Sequence, residues 1–268
     1  MKDVNVHLID LLEEGRYSKV KRILQGGQKM TVKVIDLNTG KESSKVVDVV
    51  YDVNEKDHYN RTVLMWALVN KQSDIAIELI RQGADIDVRD DFGFTFVALC
   101  AESGCYKVLK YALSQHDKAF NKELVNRKFG AYVSTPLHRA VKFGFYRVAE
   151  LLLKNGVDPN VYDYNYLPPI AYPVISCDVK MVRLLLKYGA RADLTNANGV
   201  DMLQFALGNN VPEGHVIARM LILDVLKRDG YKEFLKKDYD TAVHYGNSVI
   251  AEEILTILMD FPKPPDIK

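Results

Sequence analysis

The side chains best suited to covalent chemistry in this chain are Cys100, Cys105 and His138, which could act as a nucleophile and its base. However, Cys100 lies 33 residues after Ala67, at a position that Ala140 fills in a later segment. A small packed side chain is therefore the favoured interpretation of Cys100. The three cysteines include no Cys-x-x-Cys pair, which predicts reduced thiols in a cytoplasmic setting and neither disulfides nor a zinc site.

Other sequence signals for catalysis or cofactor binding are missing. The six histidines include no pair four residues apart that could hold a metal on one helix face. Neither a phosphate-binding glycine loop nor a metalloprotease, nucleophile-elbow or kinase motif occurs. The sequence therefore predicts no enzyme activity, no cofactor, no metal and no small-molecule substrate.

Composition excludes two further classes of partner. The chain has 36 Lys and Arg against 35 Asp and Glu, so it lacks the basic excess typical of nucleic-acid binding. Its first residues lack the apolar core of a signal peptide, and its longest apolar runs are far shorter than a bilayer span. These observations predict no membrane association and a cytoplasmic protein, or one in the cytosol of a host if it is exported as an effector without such a signal.

Four segments of the chain fall into register at a spacing of 33 residues, as shown by Thr62 with Thr95 and Gly156 with Gly189. Each segment carries two short apolar stripes with helical periodicity, and glycines end the second helices. A helix pair alone cannot bury its apolar face. A period of this length therefore predicts a stack of helix pairs, each packed on its neighbours.

Residues 134–140 read Ser-Thr-Pro-Leu-His-Arg-Ala, and this string at this period resembles the ankyrin repeat family. Thr135 suits the N-cap of a helix, and Pro136 suits the first turn, where its missing N–H costs no hydrogen bond. The resemblance covers residues 57–230 and implies that His138 hydrogen-bonds the backbone of an adjacent repeat.

The predicted fold is therefore all-α, an ankyrin-repeat solenoid of six to seven helix pairs with an N-terminal β-hairpin insertion. Its last helix pair is expected from about Asp238 to Asp260. The predicted divisions are a capping helix pair at 1–27, the hairpin at 28–56, repeats at 57–89, 90–132, 133–162, 163–195 and 196–230, a C-terminal capping helix pair at 231–261, and a tail at 262–268.

Several segments depart from the repeat. Residues 28–53 alternate apolar and polar side chains around Asn38-Thr39-Gly40-Lys41, which predicts a β-hairpin that serves either as a recognition finger or as a cover for the first repeats. Residues 116–132 lengthen the link between the second and third repeats, and 211–214 are expected between the helices of the fifth. Pro173 predicts a kinked or short helix.

The resemblance implies a surface for partner binding, the concave face formed by the turn tips and the first helices. Aromatic side chains are dense there, although the positions should be solvated, and such side chains are typical anchors of protein interfaces. The alternative is that the hairpin or residues 116–132 cover them. By register, the candidates are His58, Tyr59, Arg61, Asp91, Phe92, Phe94, Glu102, Tyr132, Lys142, Phe143, Tyr164 and Asn165.

The predicted function is non-catalytic protein–protein interaction by a monomeric adaptor or scaffold that binds a partner protein on this face. Two other hypotheses use the same surface. One is an inhibitor, immunity or effector-type protein that blocks a specific enzyme or host factor. The other is a regulatory ankyrin domain of a larger system.

Overall fold

The computed structural model describes residues 4–26, 29–35, 42–129, 134–209, 211–228 and 230–259. Helices make up most of these residues, and the chain divides into two compact units, residues 1–131 and 132–268. Within each unit, helix pairs stack on one another, which confirms the architecture predicted from the 33-residue period. The boundaries of the individual repeats stay predictions.

The first unit combines short helices with a small sheet. Its described elements are β1 Val4–Asn5, α1 Leu8–Glu13, α2 Tyr17–Gly26, β2 Lys29–Ile35, β3 Glu42–Val50, α3 Val63–Val69, α4 Ser73–Arg81, α5 Phe96–Ser103, α6 Tyr106–Ser114 and α7 Lys118–Asn126. Helices α1, α3 and α5 pack in one row, and α2, α4 and α6 pack in a second. Helices this short are unstable alone in water, so burial of residues such as Leu12, Leu64 and Leu109 between neighbours stabilises them.

The predicted β-hairpin is confirmed by antiparallel pairing of β2 with β3, from Lys29 opposite Asp48 to Ile35 opposite Glu42. Its connecting residues, which include the predicted loop at 38–41, lie outside the described residues. One detail of the N-terminal cap was wrong, because Val4–Asn5 are extended and pair in parallel with β3 as a third strand. This pairing satisfies backbone groups that the free edge of the hairpin would otherwise leave open.

The predicted insertion after the second repeat contains a helix, α7. The side chain of Asp117 caps this helix by accepting a hydrogen bond from the backbone N–H of Phe120 at 2.9 Å. The side-chain amide of Asn121 donates to the carbonyl oxygen of Leu113 at 2.8 Å and ties α7 to the end of α6. Leu124 and Phe129 are buried, so residues 116–129 pack against the rest of the first unit.

The second unit consists of helices in its described part. They are α8 Pro136–Lys142, α9 Tyr146–Lys154, α10 Ala171–Ile175, α11 Val179–Lys187, α12 Met202–Leu207, α13 Pro212–Val225, α14 Tyr231–His244 and α15 Ser248–Leu258. Helices α8, α10, α12 and α14 pack in sequence, while α11 packs on α13 and α13 on α15. Helix α10 has only five residues and contains Pro173, in agreement with the predicted short helix.

Two predictions for the second unit were wrong. Residues 211–214 do not form a loop, because Pro212 is the first residue of the 14-residue helix α13, where a proline loses no hydrogen bond. Gly214 fits there because a Cβ at this position would overlap the backbone oxygen of Asn209. Helix α14 begins at Tyr231, as in the predicted capping pair at 231–261 but earlier than the expected helix start at about Asp238, because Leu235 extends its buried face. The predicted tail at 262–268 lies outside the described residues.

Two carboxyl groups are buried together where α14 packs on α12. Asp201 caps α12 by accepting a hydrogen bond from the backbone N–H of Gln204 at 2.8 Å, and Asp238 has no exposed surface. Burial raises the pKa of both carboxyl groups, and the negative charge of Asp201 acts with burial to raise the pKa of Asp238 to about 8, against the opposing effect of Lys237. A protonated Asp238 can donate a hydrogen bond to Asp201, so one retained proton removes one of the two buried negative charges.

This pair predicts a pH-dependent stability. Between about pH 4 and about pH 8 the folded chain retains a proton that the unfolded chain has released, so the free energy of unfolding falls as the pH rises through this window. Asp238→Asn should flatten that dependence, as measured by urea unfolding at several pH values. The exposed Asp240→Asn is the control, and an unchanged slope in Asp238→Asn would show that no shared proton exists.

Candidate functional site

In four of the turns that precede a first helix, here called tips, the side chain at the start of the turn holds its backbone. In the first tip, Asp57 Oδ1 accepts hydrogen bonds from the backbone N–H groups of Tyr59 and Arg61, at 2.8 and 2.9 Å. Such a contact is typical of aspartate and asparagine, whose short side chains reach the backbone a few residues ahead. The same contact recurs at three later tips, which begin at Asp90, Asp163 and Asn196.

The tips also share a residue in the left-handed backbone region. Gly93 and Gly199 fill this position in two tips, with φ of 79° and 73°, and Asn60 fills it in another, with φ of 58°. These are the residue types that tolerate the conformation best. Tyr166 fills it in a fourth tip with φ of 55°, although its side chain disfavours this conformation. In each of these four tips the residue before the left-handed one is exposed, and the residue after it is half-buried.

Two neighbouring tips of the first unit bring three aromatic side chains into contact. The ring of Tyr59 lies 3.9 Å from that of His58 and 5.4 Å from that of Phe92, between ring centres. Tyr59 is 41% exposed and Phe92 is 54% exposed, so these apolar rings contact one another and still face water. Together with Arg61 they form what we call the first tip cluster, residues 58, 59, 61 and 92.

Arg61 is held in the first tip cluster by Asp57 and Trp66. Its Nε donates to Asp57 Oδ2 at 2.8 Å, and Trp66 Nε1 donates to the same oxygen at 3.0 Å. The guanidinium carbon lies 4.4 Å from the centre of the Trp66 ring and 5.2 Å from that of Tyr59, within cation–π range of both. Burial opposes ionisation of Asp57, but its hydrogen bonds with Arg61, Tyr59 and Trp66 outweigh burial and lower the pKa of this carboxyl group.

Hydrogen bonds also join the first tip to the second. The backbone N–H of Asp91 donates to the carbonyl oxygen of Tyr59 at 3.0 Å, and Asn60 Nδ2 donates to Asp91 Oδ1 at 2.7 Å. Asp91, one of the residues expected to contact a partner, therefore uses one carboxylate oxygen to tie the tips together. This link fixes the spacing between Tyr59 and Phe92.

Two other candidates of the first unit are less accessible than expected. Phe94 is half-buried, with its ring centre 5.3 Å from that of Phe129. Phe94 thus fits the alternative in which residues 116–132 cover the candidate surface. Contact between the two apolar rings is favourable because it removes apolar surface from water. Glu102 is also half-buried, and its Oε2 is shielded from solvent without a hydrogen-bond partner in the part of the chain that the structure describes.

In the second unit the candidates Lys142, Phe143, Tyr164 and Asn165 are all exposed. Tyr132 lies outside the described residues. The sequence analysis missed Tyr166, which is 62% exposed at the same tip as Tyr164. Its signal was present, because Tyr166 stands 33 residues before Gly199 at a position where glycine is the expected residue.

The residues first considered for catalysis have structural roles. His138 Nδ1 accepts a hydrogen bond from the backbone N–H of Thr135 at 3.2 Å, and its Nε2 lies 3.2 Å from the carbonyl oxygen of Leu167, which confirms the predicted cross-repeat contact. Cys100 is fully buried, and burial raises the pKa of its thiol well above the ordinary value.

Neither a metal-binding cluster nor a membrane-spanning helix occurs within the described ranges. No group of three or more His, Cys, Asp and Glu side chains there is placed to hold a metal ion. No helix among the described residues combines the length and apolarity needed to cross a membrane.

Comparisons with known proteins agree with the geometry. A family model described as ankyrin repeats (3 copies) matches residues 12–123 and 64–163. An ankyrin repeat protein of Acanthamoeba polyphaga mimivirus is 26% identical over 165 residues, covering 61% of this chain and 20% of that protein. Inversin of Canis lupus familiaris is 24% identical over 208 residues, covering 76% of this chain and 18% of inversin. The chain therefore spans about a fifth of the length of these curated relatives.

A solved structure shows the same fold. The crystal structure of the ankyrin repeat protein EF0377 matches with a TM-score of 0.59 and 23% sequence identity, and the match covers 80% of this chain and 95% of that one. The likeness concerns the backbone architecture.

The contacts of Arg61 predict a stabilising role that can be measured. Arg61→Met keeps an apolar side chain of similar length but leaves Asp57 without its charged partner, so the free energy of unfolding should fall by about 1–3 kcal/mol. Trp66 is the single tryptophan of the chain and contacts Arg61, so its fluorescence reports the change during urea unfolding. The exposed Arg183→Met on α11 is the matched control. Equal stability of the two variants would contradict the assigned role.

Proposed function

The chain belongs to the ankyrin repeat family, whose repeats are generally protein–protein interaction modules, and from this premise we propose that it is a non-catalytic adaptor that binds a partner protein through the first tip cluster. The family and its fold are typically non-enzymatic. The observation that carries the proposal is the pair of exposed rings, Tyr59 and Phe92, held in contact on hydrogen-bonded turns.

The first tip cluster has the composition of a binding hot spot. Tyrosine and arginine are enriched among residues that dominate interface energies, and aromatic rings bury large areas on binding. Part of this surface is available to a partner, since Tyr59 and Phe92 as whole residues are 41% and 54% exposed. Burial of that surface would contribute to affinity.

The hydrogen bonds of the tips reduce the entropic cost of binding. Asp57 fixes the backbone at Tyr59, Arg61 contacts the Tyr59 ring, and Asp91 fixes the distance to the next tip. A surface that is already ordered in the free protein loses less freedom when a partner binds. Rings with greater conformational freedom in the unbound protein would bind more weakly at equal contact area, because they would lose more entropy.

The charge of the first tip cluster favours a protein over a nucleic acid. Its one permanent cation, Arg61, is paired with Asp57, and the adjacent Asp91 adds a negative charge. A phosphate backbone would meet no net positive field here.

Double truncation of the exposed rings tests the proposal. Immobilised wild-type chain is used to capture proteins from its native source, and the captured protein is purified and titrated while Trp66 fluorescence is followed. Tyr59→Ala combined with Phe92→Ala should weaken that binding about thirtyfold, the equivalent of a hot spot of about 2 kcal/mol. The identity of the captured protein would separate an adaptor from an inhibitor of an enzyme or host factor.

Tyr146→Ala provides a matched control, because Tyr146 is 42% exposed at the start of α9 and lies in the other unit. Both variants should retain cooperative urea unfolding, since truncation of exposed side chains has small effects on stability. Undiminished binding by the double variant, or an equal loss in Tyr146→Ala, would show that the first tip cluster is not the binding site.

A further inference from the structure

We propose that a groove between α12 and α14 binds a basic segment of a partner protein, one arginine or lysine flanked by apolar residues, an inference that rests on the proposed function. The groove lies within the second unit and has a volume of about 770 Å³. This volume is in the usual range of ligand sites, about 300–1,000 Å³. Residues of α12, of α14 and of the C-terminal end of α10 line it.

The apolar walls of the groove leave large side chains in contact with water. Ile175 and Tyr245 are exposed, and Val200 and Phe205 are half-buried. Contact with another apolar side chain would be favourable here, because it removes apolar surface from water. These walls therefore suit the apolar part of a ligand.

Lys237 is the only permanent cation among the described residues that line the groove, and it is already engaged. Its Nζ donates to the carbonyl oxygen of Gly199 at 2.8 Å. Its positive charge also acts on the buried carboxyl groups of Asp201 and Asp238, since it opposes the rise in the pKa of both. With one retained proton this pair keeps one negative charge, which offsets the charge of Lys237.

Asp240 supplies a carboxylate on the same wall. It is exposed, it stands three residues after Lys237 on the same face of α14, and its carboxylate forms no hydrogen bond or ion pair with another described residue. Because the charge of Lys237 is offset, Asp240 gives the groove one net negative charge. An arginine or lysine side chain offers the matching positive charge, and hydrogen bonds between charged groups are stronger than those between neutral groups.

The charge and the walls of the groove together indicate the ligand. A phosphate group of a nucleic acid or a lipid would be repelled by Asp240 and would find Lys237 already engaged. A cation without apolar neighbours would leave Ile175 and Phe205 in contact with water. A basic side chain between apolar ones satisfies both parts, and the ring of Tyr245 can contact either, because aromatic faces also attract cations.

A peptide titration of the full chain tests the proposal. The probe is a capped pentapeptide with a central arginine between two leucines, and its counterparts carry glutamate or citrulline, which has nearly the shape of arginine without its charge. His244 also lines the groove and would repel a cation if protonated, so the titration is run at about pH 7.4, above the ordinary pKa of histidine. Amide shifts in the ¹⁵N-labelled chain should change at residues 204–209 and 237–245 with the arginine peptide.

Two variants separate the contribution of charge from that of apolar contact. Asp240→Asn should weaken binding of the arginine peptide about tenfold and leave binding of the citrulline peptide unchanged, because it removes only the charge-assisted contact. Ile175→Ser should weaken binding of both peptides about threefold, because it removes apolar contact and no charge.

Glu252→Gln is the matched control, since Glu252 is an exposed carboxylate on α15 of the same unit, and it should bind all peptides as the wild type does. The substituted side chains are exposed, so all three variants should retain cooperative urea unfolding. The proposal would be overturned if the wild type bound no peptide, bound the arginine and citrulline peptides equally, or bound the glutamate peptide more tightly. Unchanged binding of the arginine peptide by either variant would also overturn it.

The groove and the first tip cluster can be scored separately. The variant with Tyr59→Ala and Phe92→Ala should bind the arginine peptide as the wild type does, because both rings belong to the first unit. Partner capture that depends on the two rings, together with no binding of the arginine peptide, would refute the groove and leave the first tip cluster supported. Peptide binding that depends on Asp240, with capture unaffected by the ring truncations, would support the groove and refute the first tip cluster.

Discussion

The interaction on which the rest of this structure depends is the hydrogen bond from the turn amides of each tip to the side chain at its start. Asp57, Asp90, Asp163 and Asn196 all accept such bonds. A tip of about five residues has no ladder partner of its own for most of its backbone groups, and an acidic or amide side chain satisfies them locally. The following residues enter the first helix of the next pair from this fixed turn.

Stacking and tip geometry together explain why aromatic rings remain in water. The short helices are stable only when they pack on neighbouring helices, and this packing buries the apolar faces of both rows. The side chains at the tips have no such neighbours, so Tyr59 and Phe92 contact each other and solvent. An apolar pair held rigidly outside the core has a physical explanation if its surface is buried by another protein.

The sequence periodicity predicted the features that recur in every repeat. It did not predict contacts that occur only once in the structure. The 33-residue spacing, the hairpin and the short helix at Pro173 follow from local patterns in the sequence. The strand at Val4–Asn5 and the cover over Phe94 depend on edges and rings contributed by distant segments. The close approach of the Asn209 backbone oxygen to Gly214 in α13 likewise depends on how the chain folds back there.

The candidate sites show the same division. Register predicted which residues stand at the tips, but it carried no information about the contact of Arg61 with Trp66 or the hydrogen bond of Lys237 to the carbonyl oxygen of Gly199. Those contacts depend on side-chain rotamers. Asp201 and Asp238 come from two different helix pairs. Nothing in the sequence distinguishes them from other aspartates, so their pairing could not be predicted.

The most direct measurement of the central claim is amide hydrogen exchange in the free chain at the first tip. The amides of Tyr59 and Arg61 donate to Asp57, whereas that of His58 has no hydrogen-bond partner among the described residues. The account predicts that Tyr59 and Arg61 exchange more slowly than an unstructured peptide, by about a hundredfold or more, while His58 exchanges rapidly. Exchange of all three at the unstructured rate would contradict a preorganised tip.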